Sequence, residues 1–290
     1  MNWHLIAAQL LNGLALGSIL ALVALGLTIT FGLLGLVNFA HGVFFMVGAY
    51  AGFVTFQYTH SFGLAVLMGA LVVLVVGIVV ERVVIRLFYR RPPEDQILVT
   101  FGLAIVIVEI VRAIFGGKTQ LFPMPSWGMG ATNLGFLVYP NYRLQVIVIA
   151  AITLAAIYLV LYKTRLGLIV RAGIDDSLIV NILGIDVTKT LLAVFVLGAM
   201  VAGFSGVIDA PIVAVDPDMG ASVLIESFVV VVIGGLGSFS GSILGGIIAG
   251  EIISITTIWA PDYAQVMLYL AMALVLILRP QGLFGTEGRL

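Results

Sequence analysis

The sequence predicts an all-α polytopic membrane protein of eight or nine transmembrane helices, with broken helices and an inverted repeat. Three observations carry that prediction. Of 290 residues, 62% are hydrophobic and only 9% charged, against about 45–50% and about 25% in soluble domains; mean hydropathy is +1.23. No Asp, Glu, Lys or Arg precedes Glu81, which leaves room for three crossings of a hydrocarbon core about 30 Å thick. The apolar runs are continuous, not alternating, and a helix satisfies its own backbone in lipid, so helices are preferred over a barrel. The same composition excludes a cytosolic enzyme, a disordered chain and a secreted disulfide scaffold. A net charge of −1 offers no field for nucleic acid, and the absence of cysteine excludes thiolate metal sites and thiol catalysis.

The runs divide at turn-forming or charged clusters into segments 5–33, 40–57, 63–88, 97–115, 143–162, 190–208, 223–234, 240–258 and 263–279. The opening run lacks the basic region of a cleavable signal peptide, so it is read as mature membrane protein. After the third segment stand Arg82, Arg86, Arg90 and Arg91; Lys163, Arg165, Arg171 and Lys189 flank the loop after the fifth; Arg279 and Arg289 lie near the C-terminus. Counting crossings puts all three groups on one side, the cytoplasm by the positive-inside rule. The N-terminus is then external and the C-terminus cytoplasmic. The acidic loop with Asp209, Asp216 and Asp218 falls outside, as does the longer loop 116–142 despite Lys118.

Several motifs fail. Gly117-Lys118-Thr119 looks like the end of a phosphate loop, but Arg112 stands where its first glycine is required. His4, His41 and His60 have no metal-ligand spacing, and no nucleophile elbow is present. No catalytic or metal residue is therefore assigned.

The 34 glycines exceed the average share of about 7%. Gly13/Gly17, Gly48/Gly52 and the ladder Gly237/Gly241/Gly245 have the spacing that lets helix backbones approach closely in lipid. Two segments look interrupted. Val37-Asn38-Phe39-Ala40-His41-Gly42 and Val215-Asp216-Pro217-Asp218-Met219-Gly220 share a valine, an amide or acid, three residues and a glycine. Asn38 and Asp216 are suitable N-caps, and the breaks fall near opposite faces, as an inverted repeat requires. Paired broken segments point to a transport pathway. Asn38, His41, Gly42, Asp216 and Gly220 are its candidate residues, with packing as the plainer reading of His41 and loop exposure that of Asp216. Glu109 and Glu251 sit within apolar segments, where a carboxylate is costly. Arg112 offers Glu109 a local pair, whereas Glu251 has none and joins the candidates.

In the loop 163–189, Asp175 or Asp176 can start a short helix that Gly184 stops, with Leu178, Ile179, Ile182 and Leu183 on its apolar face. Arg171 has pairing spacing to Asp175. Such a helix lies on the membrane surface or docks a cytosolic partner.

These passages resemble one family. Asn12-Gly13-Leu14-Ala15-Leu16-Gly17-Ser18, the Val37–Gly42 stretch with Met46 and Gly48-Ala49-Tyr50, Glu81-Arg82, Thr164-Arg165-Leu166-Gly167, Arg171-Ala172, Leu183-Gly184-Ile185, Gly234-Gly235-Leu236-Gly237-Ser238 with Gly241, and Arg279-Pro280-Gln281-Gly282-Leu283-Phe284-Gly285 occur in family order. The chain resembles the permease subunit of bacterial ABC importers for branched-chain amino acids, a group that includes urea and short-amide importers. The resemblance implies one permease domain over 1–290 in the bacterial inner membrane. It implies a second permease subunit (the same or a related chain), two cytosolic ATPases and an external solute-binding protein. No cofactor is then expected on this chain, with ATP and Mg on the ATPases. The 171–185 stretch matches the family's ATPase-contacting loop, making Arg171, Asp175, Asp176, Leu178, Ile179, Ile182, Leu183 and Gly184 the expected coupling residues. Leu87 and Leu168 depart from the family pattern and leave the substrate branch open. The competing classes are an ATPase-independent channel or secondary transporter, and a membrane scaffold or receptor.

Overall fold

A computed structural model of the chain describes residues 3–36, 38–89, 91–175 and 186–285. Ten α-helices carry the described fold: α1 Trp3–Leu34, α2 His41–Thr59, α3 Phe62–Val83, α4 Pro93–Phe115, α5 Asn141–Lys163, α6 Arg165–Asp175, α7 Val187–Val213, α8 Met219–Gly234, α9 Phe239–Trp259 and α10 Ala264–Leu278. The only β-ladder among the described residues pairs β1 Ala131–Asn133 with β2 Val138–Pro140, antiparallel, Thr132 opposite Tyr139. Each segment expected from the sequence is a helix, with ends set by local chemistry. Ser61, Asp186 and Ser238 accept the N–H of Leu64, Lys189 and Gly241. Pro93 occupies the first turn of α4, where its missing N–H costs nothing, and Glu94 and Asp95 complement the helix dipole there.

Among the described residues, seven helices are long and apolar enough to cross a membrane. The helices outside that set that the sequence also read as spans are α2, whose ends carry His41 and Gln57-Tyr58-Thr59, and α8, with 16 residues. Both follow the interrupted segments. Large apolar side chains stand exposed on the long helices, Leu98 at 72% and Ile277 at 79% among them, a surface that lipid and not water accommodates.

The chain forms two compact units. One comprises Met1–Leu25, Pro123–Thr153 and Ile225–Leu290; the other Gly26–Phe122 and Leu154–Leu224. In the first unit, α1 and α9 pack antiparallel through small residues. Methyl groups on Gly17 or Gly246 would stand 2.7 Å from the Gly246 carbonyl oxygen or the Ala21 Cα. Ser254 donates to the Gln9 carbonyl at 2.6 Å, tying the same pair. Gly241 and Gly245 of the expected ladder lie against Gly234 and Val230 of α8. Gly237 is corrected: it belongs to no helix but turns the chain between α8 and α9 at φ +78, a left-handed conformation that favours glycine.

In the second unit, α7 is the central helix. Gly203 lies against Gly48 of α2 and Val73 of α3, and Val207 against Gly52 and Gly69. Gly198 meets Gly26 in the part of α1 that belongs to this unit. Its inner core includes Phe44 and Phe195, edge to face with ring centroids 5.7 Å apart.

Candidate functional site

The two interrupted segments have the same local structure. The Asn38 Oδ1 accepts the Ala40 N–H at 3.0 Å, and the Asp216 Oδ1 accepts the Asp218 N–H at 2.9 Å. The His41 N–H reaches the Asn38 carbonyl at 3.2 Å, as the Met219 N–H reaches that of Asp216 at 3.4 Å. The Val43 N–H bonds the Ala40 carbonyl and the Ala221 N–H that of Asp218. Asn38 and Asp216 are therefore not the N-caps expected of them. Each closes an Asx turn on the residue two ahead, because its short side chain reaches that N–H before the helix begins. The N-cap of α2 is Ala40.

The helices that follow pack on each other through the shared glycine. A methyl group on Gly42 would overlap the Gly220 carbonyl, and one on Gly220 would overlap that of Gly42. Gly42 also faces Leu224, and Gly220 faces Met46. These reciprocal contacts are those of two helix starts running antiparallel about a local two-fold. The breaks themselves sit at different levels. The Thr100 hydroxyl of α4 accepts the Phe39 N–H at 3.2 Å, whereas Arg112 of α4 pairs with Asp218 at 2.9 Å. At about 1.5 Å per residue these contacts are about 18 Å apart along α4. The first break therefore lies inside the length of a membrane-spanning helix, and the second near that helix's other end.

Asn38 is 1% exposed, and its Nδ2 has no hydrogen-bond partner among the described residues. His41 is fully buried with its ring against Gly26, where a methyl group would stand 3.0 Å from Cε1. Asp216 is half-buried, and Gly42 and Gly220 are buried. Around the second break, Arg112 also pairs with Glu109, as their spacing predicts. Tyr50 lies 4.7 Å, centroid to centroid, from Phe115. Phe53, Phe56 and Phe62 gather on Phe122, at centroid distances of 6.2, 5.2 and 6.1 Å.

Beside the first break, Gln96 donates to the carbonyls of Phe88 and Arg91, holding the turn before α4. The fully buried Glu81 carboxylate takes Arg86 through two nitrogens, at 3.3 and 3.0 Å, and the Tyr89 hydroxyl at 3.1 Å. Burial and the Glu81 charge push the Tyr89 phenol well above its ordinary range. Thr100, Gln96, Phe122 and the Arg112–Asp218 pair were not anticipated. The partners of Thr100, Phe122 and Arg112 are too distant in sequence for any spacing rule, whereas Gln96 bonds carbonyls only five and eight residues back.

The candidates thus divide. Asn38, His41, Gly42, Asp216 and Gly220 come together in one unit. Glu251 belongs to the other, its side chain against Gly13, where a methyl group would stand 2.6 Å from Oε2. That Oε2 is buried with no hydrogen-bond partner among the described residues. Of the coupling residues, Arg171 in α6 donates to the Leu161 carbonyl and lies 4.8 Å over the Tyr162 ring. Asp175 ends α6. Asp176, Leu178, Ile179, Ile182, Leu183 and Gly184 lie outside the described residues. Among the described residues no cluster of three His, Asp or Glu could hold a metal ion.

The family model for the permease component of branched-chain amino acid transport systems matches residues 9–276. The chain belongs to this family. It is a transport subunit and not an enzyme, and its seven long apolar helices make it a multi-pass membrane protein. Its relatives include the high-affinity branched-chain amino acid transport system permease protein BraD of Pseudomonas aeruginosa, 28% identical over 96% of this chain and 95% of its own. The permease protein LivH of the corresponding high-affinity system of Escherichia coli K12 is 26% identical over 96% and 94%. A probable branched-chain amino acid transport permease protein LivH of Methanocaldococcus jannaschii is 27% identical over 93% and 90%. No solved structure matches the chain.

Proposed function

We propose that this chain is the permease subunit of an ATP-driven importer that carries branched-chain amino acids from an external binding protein to the cytoplasm by alternating access. The observation that carries the mechanism is the reciprocal packing of two broken helix starts within the membrane-spanning unit of a permease-family chain. Residues 1–290 act as one permease domain, paired with a second permease subunit, the same or a related chain, and two cytosolic ATPases that hold ATP and Mg. The N-terminus is external and the C-terminus cytoplasmic, in the bacterial inner membrane. Asn38, His41, Gly42, Asp216 and Gly220 line the route of the cargo within their unit, and Glu251 is the pathway candidate of the other. Around the close Gly42–Gly220 contact, small rocking movements of α2 against α8 would open one break and close the other, with Arg112–Asp218 latching the second.

The loop 163–189 takes the thrust of the ATPases. α6 is joined to the end of α5 by Arg171, through the Leu161 carbonyl and the Tyr162 ring, so a push on this loop reaches a membrane helix directly. Urea or a short amide in place of an amino acid remains the alternative cargo, since the same fold with few strong contacts would pass either.

The test is reconstitution of the chain in proteoliposomes with its partner permease, ATPases and binding protein. Leucine uptake should require ATP and all components, and Arg171→Glu should lower uptake about tenfold or more while ATP is still hydrolysed. Leucine flux through the chain alone, without ATPases, would replace the importer with a channel. Uptake of urea and not leucine would replace the cargo.

A further inference from the structure

The two breaks are copies of one turn, and comparing them isolates what one copy has in excess. In both, the turn uses a single side-chain oxygen as acceptor, from Asn38 to Ala40 and from Asp216 to Asp218. Asp216 has no amide NH2 and closes the turn equally well, so the turn does not need the Nδ2 of Asn38. A serine or threonine hydroxyl would serve as the acceptor too. Yet Asn38 carries that donor into a site where it is 1% exposed and finds no hydrogen-bond partner among the described residues. A buried donor that neither the turn nor the protein around it uses is held for an acceptor from elsewhere.

Its position defines the chemistry of that acceptor. The Asn38 carboxamide is fixed by its bond to Ala40, the residue just before the 19-residue α2. It therefore sits at the positive end of a helix dipole. No acidic residue stands in the first turn of α2 to neutralise that end. At the other break, Asp216 itself supplies a carboxylate just ahead of α8, and Arg112 is paired with the neighbouring Asp218. The first break thus lacks the anion that the second one carries. The Thr100 contact with the Phe39 N–H places it at membrane depth, where a fixed dipole is weakly screened.

We propose that Asn38 Nδ2 and the start of α2 form a carboxylate subsite, taking the carboxylate of the cargo as the importer's inner side opens. This rests on the reading of the chain as an amino acid permease and names the half of the amino acid that the first break holds. The carboxylate oxygen accepts from Nδ2, and the dipole stabilises its charge without a cationic side chain. An arginine or lysine there would hold the anion more strongly, whereas a permease must let its cargo go.

The test uses the full importer reconstituted in lipid with 15N-labelled asparagine. It is titrated with isovalerate, a bare carboxylate shaped like the leucine side chain, and with isovaleramide, its neutral isostere. The Asn38 side-chain resonance is identified as the one missing in Asn38→Asp. Isovalerate should shift that resonance and isovaleramide should not. Asn38→Asp retains the acceptor oxygen of the turn and removes the donor. In a complex whose assembly is checked by size-exclusion chromatography, it should lower leucine uptake about tenfold or more, through the lost charge-assisted hydrogen bond and the like charge it adds. An Asn38 resonance that ignores isovalerate, or that responds equally to both probes, would overturn the subsite, as would Asn38→Asp uptake within twofold of wild type. An isovalerate response in a wild-type importer that takes up no leucine would support the subsite and overturn only the cargo.

Discussion

Gly48 and Gly77 both face α7, at different distances, and that difference sets the sign of an alanine substitution at each. A methyl group on Gly48 would stand 2.6 Å from the Gly203 carbonyl carbon, which is backbone and cannot turn aside. A methyl group on Gly77 would stand 3.5 Å from the Ala199 Cβ, an ordinary contact. Alanine is the better helix former by about 1 kcal/mol, so Gly77→Ala should stabilise the protein by up to that amount. Gly48→Ala must instead separate α2 from α7 and should cost about 1–3 kcal/mol. Thermal unfolding of the two variants in one detergent checks the pair; equal shifts of the same sign would refute the close approach. Glycine spacing in the sequence pointed to Gly48 as a packing residue but was silent on Gly203, because a partner on another helix leaves no periodic trace.

At the scale of the element, α8 is short and is secured at both ends. Its start carries the Asp216 turn, and its end is closed by the C-terminal Arg279–Gly285 stretch. The N–H groups of Leu283 and Phe284 donate to the Ile233 and Gly234 carbonyls, each at 2.9 Å, completing acceptors that a helix end leaves open. Gly282 makes the turn that brings them there, at φ +77 with Gly235 Cα 2.5 Å from where a methyl group would be. Gly282→Val should therefore cost about 1–3 kcal/mol and speed hydrogen exchange in the last turn of α8. Leu283→Ala, which keeps the N–H, should leave that exchange unchanged. The Pro-Gln-Gly-Leu-Phe-Gly run was legible as a family passage, but its task was not, since its partners lie on a helix long passed in the chain. Helix boundaries were legible to within a few residues because charged and turn-forming clusters divide the apolar runs locally; Ser61, Pro93 and Asp186 then set the starts that the sequence segments at 63, 97 and 190 approximate. The roles of Asn38 and Asp216 were half legible. Both residue types favour helix caps and Asx turns alike, and the choice between them is made by where the helix actually starts. The link from Thr100 to Phe39, which sets the depth of the first break, has no local signature at all.

For the whole molecule, the orientation proposed above is a reading of charge, and the cysteine-free composition provides the means to measure it. Arg82, in the last turn of α3, and Arg91, ahead of α4, are exposed, while Arg86 is held by Glu81. Lys and Arg resist transfer across the membrane in short loops, so the orientation we propose keeps the turn between α3 and α4 in the cytoplasm. With α2 and α8 counted beside the seven long apolar helices, that proposed orientation puts the Lys118 loop outside and the end of α10 inside. Lys118 lies on the side that the rule disfavours in short loops, but its loop is long. That loop folds by its own contacts: Gln120 pairs with Val215 through both backbone groups, at 2.7 and 2.9 Å, and Phe122 is buried under three aromatic rings. The chain contains no cysteine, so one introduced cysteine is a single reporter. In intact cells, Lys118→Cys should react with a membrane-impermeant maleimide, and Arg91→Cys should react only after permeabilisation. The reverse pattern would invert the orientation and place the Asn38 break, at the Thr100 end of α4, toward the outside. The carboxylate subsite would then meet the cargo on arrival and not on release.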